Sequence, residues 1–197
     1  LKSTAPPLFR IDDMTFSLVA RCADTGMFGL AISSSSPAVA ARCSFVRAGV
    51  GAVASQNITD PTLGPLALDL MQQGLSASDA ISEVQKRGKY LEYRQVLAVD
   101  NQGRTAIHSG PNSLGIWTQA EAGNVASGGN LLANDSIPQA IVDGFQSTTG
   151  HIGDRFGDGH AERGRLARVF PGRAYGACEC AYGLGRCLRD RGRADRT

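Results

Sequence analysis

The chain has 197 residues, of which 42% are hydrophobic and 19% are charged, and its formal net charge is +2. This length and composition are typical of one globular domain with its own core. The chain is too short for two domains of ordinary size. No run approaches the roughly 18 apolar residues of a membrane-spanning helix, and the first thirteen residues lack a secretory h-region. The five cysteines are an odd number, so we predict reduced thiols and a cytoplasmic protein.

The first periodic pattern begins after an aperiodic segment, residues 1–13, which we predict to be an extension outside the fold. Residues 14–20 and 28–33 alternate between apolar and polar around an Asp- and Gly-containing turn, which predicts a β-hairpin. Thr15 follows Met14 directly. If Met14 is removed, Thr15 acquires a free amine, with a pKa of about 8, as a base on the nucleophile's own residue. The local pattern by itself favours a β-branched residue that merely opens a strand.

The next part of the chain predicts a strand and two helices. Residues 50–55 alternate again and predict a strand, and the preceding serine run, residues 33–36, is interpreted as a polar loop because no Gly-x-Ser-x-Gly surrounds it. Apolar residues at helical spacing begin at Leu63, with Gly74 placed as a C-terminal cap. Ser76 then opens a second helix, which ends at Gly88.

The following elements are a hairpin, a strand and a helix. Residues 95–99 and 105–109 flank a hairpin turn, and a strand at 124–127 runs into the sequence Gly-Gly-Asn at 128–130. A third helix starts near Pro138. Strands in hairpins and helices in groups predict antiparallel sheets with helices in separate layers.

Several short segments resemble the family DUF1028, which looks like a member of the N-terminal-nucleophile (Ntn) hydrolase superfamily. The resemblance covers about 140 residues. The segments that carry it are residues 15–21, 47–56, 64–65, 74–77, 108–110 and 128–133. It implies an α+β fold, a four-layer αββα sandwich of antiparallel sheets over residues 14–155, incomplete at its C-terminus.

The resemblance also implies catalytic residues. Thr15 would be the nucleophile and, through its amine, the general base. Gly129 and Asn130 would supply oxyanion donors, although a Gly-rich turn with a left-handed Asn130 fits equally well. Arg47 would lie on the strand next to the nucleophile, where it lowers the proton affinity of the amine or binds a substrate carboxylate. A surface arginine at a strand start is the alternative interpretation of Arg47.

The remaining candidate residues concern substrate and metal. Gln56 and Asn57 end the strand after residue 50 and are predicted substrate contacts, whereas His108 on a strand is interpreted as hydrogen-bonded and not catalytic. Neither the histidines nor the cysteines have the spacing of a metal site. We therefore predict no metal and no cofactor, a small-molecule substrate, no membrane association and, from the resemblance, self-association as a homo-oligomer.

Residues 156–197 differ from the rest of the chain. They contain nine arginines, eight glycines and three cysteines but no lysine, and we predict neither helix nor strand there. The hypothesis is that this tail is a frameshift product that is disordered or poorly packed. The alternative, a tail that binds nucleic acid, is disfavoured because it lacks aromatic residues interleaved for base stacking.

Two functions remain open at this point. One is an Ntn-type amidohydrolase that cleaves a small amide or a related C–N bond through an acyl-enzyme. The other is a non-catalytic domain that uses the same cleft to bind a small ligand or a protein partner. The mature N-terminus distinguishes them, because a retained Met14 keeps the amine of Thr15 in a peptide bond.

Overall fold

A computed structural model describes the backbone of residues 14–160, 175–182 and 185–189 and the side chains of residues 14–156. The predicted extension, residues 1–13, lies outside the described residues. Within them the fold is mixed α+β, as predicted, with two antiparallel sheets.

Ten strands form the two sheets. Their bounds are β1 Thr15–Arg21, β2 Phe28–Ser34, β3 Ser44–Arg47, β4 Gly51–Asn57, β5 Arg94–Asp100, β6 Thr105–Ser109, β7 Thr118–Ala122, β8 Val125–Asn130, β9 Tyr175–Tyr182 and β10 Gly185–Arg189. The six-stranded sheet has the order β10-β9-β2-β1-β8-β7, and the four-stranded sheet has the order β3-β4-β5-β6. The predicted first hairpin is confirmed, because β1 and β2 pair antiparallel with Thr15 opposite Ser34.

Five helices lie in the described part of the chain. They are α1 Ala40–Cys43, α2 Leu63–Gln72, α3 Ala77–Arg87, α4 Ile137–Ser147 and α5 Ile152–His160. The predicted helix ends are confirmed by their hydrogen bonds. Gly74 has a φ of +100°, and the N–H groups of Gly74 and Leu75 donate to the carbonyls of Met71 and Leu70 at 3.0 and 3.2 Å, a Schellman ending. The hydroxyl of Ser76 caps α3 by accepting the N–H of Asp79 at 3.1 Å.

Three apolar clusters hold the sheets and helices together. Helices α2 and α3 bury their apolar residues against the four-stranded sheet, and α4 and α5 do the same against the six-stranded sheet. The inner faces of the two sheets meet over a third cluster that includes Leu30, Ile32, Ala54 and Leu97. At about 25 cal/mol per Å² of apolar surface, this burial is the main stabilising term that the structure offers.

Two strands beyond residue 156 correct the predicted character of the tail. β9 pairs with β2 along its whole length, with Ala177 opposite Ile32, and β10 pairs with β9. The prediction of no strand there is therefore wrong. An uncovered β2 would present a row of unpaired backbone N–H and C=O groups, and a segment containing two tyrosines and two cysteines can satisfy them as a strand. The frameshift stays a hypothesis.

The carboxylate of Asp100 connects the turn after β5 to the start of α3. It is 1% exposed and accepts the N–H of Ala77 at 3.0 Å, the N–H groups of Gln102 and Arg104 at 2.9 and 3.0 Å, and the Nε–H of Arg104 at 2.7 Å. Burial alone would raise the pKa of Asp100, but these hydrogen bonds together hold it below its ordinary value.

Asp100→Asn is expected to destabilise the fold by about 2 kcal/mol at pH 7 because the amide N–H₂ would face two donors. Since the folded-state pKa of Asp100 is lowered, its stabilisation is fully present above the unfolded pKa of about 3.9 and is lost as the pH falls through the folded pKa. Urea unfolding of both proteins between pH 7 and pH 2.5 measures this. The difference in the free energy of unfolding between the two proteins should be constant above about pH 5 and should shrink in acid. A difference that does not depend on pH would contradict the lowered pKa of Asp100.

Candidate active site

A small polar cavity lies where β1 begins and where β2 and β4 end. Because β1 and β2 are antiparallel, the first residue of β1 stands beside the last residue of β2. The cavity has a volume of about 60 Å³. Its lining residues are mostly hydroxyl and amide side chains: Thr15, Ser34, Ser36, Val39, Arg42, Cys43, Gln56, Asn57 and Thr59.

Thr15 occupies the centre of the site. It is opposite Ser34 on β2 and opposite Asn130 on β8. Its Oγ1 lies 2.7 Å from the Oγ of Ser34, and the Ser34 Oγ in turn accepts the N–H of Ser36 at 3.1 Å. The Thr15 hydroxyl is thus held at the cavity wall by a second hydroxyl, whose own position is set by a backbone donor.

Met14 precedes the site and is buried, with 4% of its surface exposed. Its Sδ accepts the N–H of Ala133 at 3.0 Å, and its carbonyl accepts the N–H of Ser35 at 3.4 Å. With Met14 in place the nitrogen of Thr15 is an amide, which is not a base. In this structure the nitrogen of Thr15 is therefore a backbone amide and not a free amine.

A cluster of three buried amide side chains lies behind Thr15. The Oε1 of Gln95 accepts from the Nε2 of Gln56 at 3.2 Å and from the Nδ2 of Asn130 at 3.0 Å. The same cluster is anchored to β8, because Gln56 donates to the carbonyl of Gly128 at 3.0 Å and Gln95 to that of Gly129 at 3.1 Å. All three side chains are at most 2% exposed. The cluster thus joins the two sheets beside Thr15.

Gln95 was not predicted as a site residue. The available signal was a polar residue at the start of an apolar strand, followed by Val96, Leu97, Ala98 and Val99. That signal is weak because a half-buried strand carries polar residues on its outer face. Only the pairing of β4, β5 and β8 shows that Gln95 faces Gln56 and Asn130.

The predicted substrate contacts, Gln56 and Asn57, both line the cavity but differ in their roles. Asn57 is fixed by the backbone: its Nδ2 donates to the carbonyl of Tyr93 at 2.6 Å, its Oδ1 accepts the N–H of Leu114 at 3.4 Å, and its φ is +75°. Gln56 is fully buried, and its Oε1 has no hydrogen-bond partner among residues 14–156. An unpaired buried acceptor is costly unless a ligand or water pairs with it.

Gly129 and Asn130 lie in strand β8 and not in a Gly-rich turn. Gly129 is opposite Phe16 on one side and Thr118 on the other, and the positive φ belongs to Leu131, at 53°. A Cβ at Gly129 would lie 3.0 Å from the carbonyl oxygen of Thr15 and 2.6 Å from Leu132. A side chain at 129 would therefore be crowded, because β8 closely approaches the backbone of residue 15.

Arg47 is not brought to Thr15, contrary to the prediction. It lies opposite Gly51, at the far end of β4 from Asn57, and six residues of strand at about 3.3 Å each separate these positions by roughly 20 Å. Its guanidinium pairs with the carboxylate of Asp69 at 2.8 Å and donates to the Oε1 of Gln72 at 2.5 Å. Arg47 is the last residue of β3, which runs antiparallel to β4. It therefore lies beside the first residue of β4, whereas the cavity lies at the last residue of β4.

Six residues absent from the predicted site also line the cavity, among them Ser34, Arg42 and Cys43. Ser34 belongs to the serine run interpreted as a loop, although it is the last residue of β2. Burial raises the pKa of the Cys43 thiol, and this outweighs the opposing effects of the Thr59 hydrogen bond and the Arg42 charge. Cys43 is therefore neutral at pH 7 and is a poor nucleophile.

The other candidates lie outside the cavity. The Nε2 of His108 is 2.8 Å from the carbonyl of Leu91 and its Nδ1 is 2.6 Å from the amide of Gln85, so the interpretation as a hydrogen-bonded histidine is confirmed. Among the residues that the structure describes, no group of three or more His, Cys, Asp or Glu is placed to hold a metal ion. No described helix is long and apolar enough to cross a membrane.

The fold and the site define a mixed α+β domain with a threonine at a polar cavity, and comparison with known proteins identifies its family. The family described as "Family of unknown function (DUF1028)" matches residues 15–159, so the chain belongs to the DUF1028 family. The match starts at Thr15.

A solved structure has the same fold. The chain is similar to the crystal structure of protein SPO2555 from Silicibacter pomeroyi, which carries the same DUF1028 description, with a TM-score of 0.77 and 22% sequence identity. The similarity covers 86% of this chain and 76% of that one. No curated protein matches the chain.

Proposed function

We propose that this protein is an N-terminal-nucleophile amidohydrolase that cleaves a small amide or a related C–N bond, with Thr15 as nucleophile. The observation that carries the proposal is the Thr15 hydroxyl at the wall of a polar cavity, 2.7 Å from the Ser34 hydroxyl. The helices outside two antiparallel sheets support an Ntn-type αββα sandwich. The start of the family match at residue 15 is a second, independent support.

In the proposed reaction the free amine of Thr15 accepts the hydroxyl proton while Oγ1 attacks the amide carbonyl carbon. The oxyanion that forms accepts a hydrogen bond from the Asn130 side chain, whereas the N–H of Gly129 belongs to the β8 ladder between Phe16 and Thr118 and is not used. Asn130 suits this role because its Nδ2 carries two hydrogens, of which one is donated to Gln95. The C–N bond then breaks, the leaving amine takes the proton from the Thr15 amine, and water hydrolyses the Thr15 ester with the same amine as base.

One observation favours the second candidate function, a non-catalytic domain that binds a ligand in the same cavity. Met14 is buried and hydrogen-bonded through its sulfur, so a form that retains it would keep the site closed to amine-assisted chemistry. The amidohydrolase requires that the peptide bond between Met14 and Thr15 is absent from the active protein. The binding domain can retain that bond.

Intact-mass measurement of the protein from its native host distinguishes them. We expect the mass of a chain that begins at Thr15, because hydrolysis requires the free amine. The matched control is a Thr15→Val chain expressed in the same way, which keeps the β-branched shape of residue 15 without its hydroxyl. A native protein that hydrolyses small amides while retaining Met14 would contradict the mechanism.

A further inference from the structure

The charge of the cavity is determined by Arg42. Among the lining residues that the structure describes, Arg42 is the only charged side chain, and the others are hydroxyl, amide, thiol or aliphatic groups. None of the lining residues that the structure describes carries a carboxylate, so Arg42 gives this lining a positive charge. A site of this kind attracts an anionic group.

Arg42 has no ion pair among the described residues, unlike four of the eight other Lys and Arg side chains in residues 14–156. Arg47, Lys86, Arg87 and Arg104 each contact a carboxylate at 2.7–3.0 Å. Within residues 14–156, Arg42 contacts no carboxylate and donates only to neutral oxygens, the Pro37 carbonyl at 2.8 Å and the Ser36 Oγ at 2.6 Å. These two bonds orient the guanidinium and leave its charge uncompensated.

The guanidinium is connected to the nucleophile by two serines. The guanidinium of Arg42 donates to the Oγ of Ser36, and the N–H of Ser36 donates to the Oγ of Ser34. The Ser34 Oγ is in turn hydrogen-bonded to the Thr15 hydroxyl. The cation and the nucleophile therefore lie along one wall of one small cavity.

The other groups that line the cavity are neutral. The cavity has a volume of about 60 Å³, and besides Arg42 its lining consists of hydroxyl, amide, thiol and aliphatic side chains. The Oε1 of Gln56 has no partner among the described residues but is itself buried away from the cavity, so Arg42 is the lining group that decides which ligand charge the cavity accepts.

We propose that Arg42 is a specificity-determining residue and that the substrate is a small amide that also carries a carboxylate. Arg42 binds the carboxylate, because a guanidinium recognises it by charge-assisted hydrogen bonds. The amide end lies at the Thr15 hydroxyl, on the same cavity wall. This inference rests on the proposed hydrolysis for its reaction but not for its binding step.

Binding of two isosteric probes tests the inference. Succinamate carries one amide and one carboxylate, and succinamide carries two amides and no charge. The full-length Thr15→Ala protein is titrated with each probe by NMR, so that no turnover interferes. We expect succinamate to bind at least tenfold more tightly than succinamide, and Arg42→Gln to remove that preference.

Two further variants make the result specific to Arg42. Arg42→Lys keeps the charge and should retain part of the preference, whereas Arg87→Gln removes an arginine on α3 that pairs with Glu83 and should change nothing. Thermal unfolding of each variant shows whether it is folded. Equal binding of the two probes to folded Thr15→Ala protein, or an equal loss in Arg87→Gln, would overturn the inference.

The same probes separate this inference from the proposed function. Charge-selective binding without hydrolysis by the Thr15 protein would leave the inference standing and refute the amidohydrolase. Thr15-dependent hydrolysis of succinamide at a rate equal to that of succinamate would support the amidohydrolase and refute the role of Arg42.

Discussion

Thr15→Ala is expected to lower the rate of amide hydrolysis by at least about 1,000-fold, as removal of a covalent nucleophile does in other hydrolases. The physical reason is that no other hydroxyl in the cavity carries its own amine. Thr15→Ser should keep measurable activity because it retains both groups. Release of ammonia from a panel of small primary amides, with the protein starting at residue 15, measures both variants.

The fold should survive this change. Thr15 loses one hydrogen bond, to Ser34, so the free energy of unfolding should fall by only about 1 kcal/mol. Ser34→Ala is the control, because it removes the same hydrogen bond, together with the one from the Ser36 N–H, and leaves the nucleophile in place. If Thr15→Ala keeps full activity, or if it unfolds the protein while Ser34→Ala does not, the role of Thr15 is structural.

The largest loss of stability in the site is expected from Gln95→Ala, about 3 kcal/mol. The change removes the acceptor shared by Gln56 and Asn130 and leaves the carbonyl of Gly129 without its side-chain donor. Each buried polar group left without a partner costs about 1–3 kcal/mol, and the truncated side chain also leaves a cavity. Urea unfolding at pH 7 measures the loss.

Gln102→Ala is the control for this variant, because Gln102 is exposed and its backbone bond to Asp100 is kept. A double-mutant cycle with Gln56→Ala then tests whether the amides act together. We expect the losses to be non-additive, since the two side chains share one hydrogen bond and one strand, β8. Additive losses would contradict the interpretation that the buried amides stabilise the fold together. So would a loss of stability in Gln95→Ala as small as that in Gln102→Ala.

Local patterns determine most of the secondary structure of this chain. The alternation around residues 24–26 defines the first hairpin, and Gly74 and Ser76 mark the end of α2 and the start of α3, because these features depend on residues within a few positions of one another. Strand β7 was missed since its sequence, Thr-Gln-Ala-Glu-Ala, contains only small apolar residues. The family resemblance also names Thr15, Gln56 and Asn57, which line the cavity, and Asn130, which is opposite Thr15; their roles stay predictions.

The tertiary structure decided which of these residues meet. Gln56, Gln95 and Asn130 belong to three strands in two sheets, and their contact depends on the pairing of β4 with β5 and on the packing of one sheet against the other. The choice between Arg47 and Arg42 has the same origin. The pairing of β3 with β4 places Arg47 opposite Gly51, far from Thr15. Helix α1, which precedes β3, places Arg42 at the cavity. Neither position follows from the sequence around the two arginines.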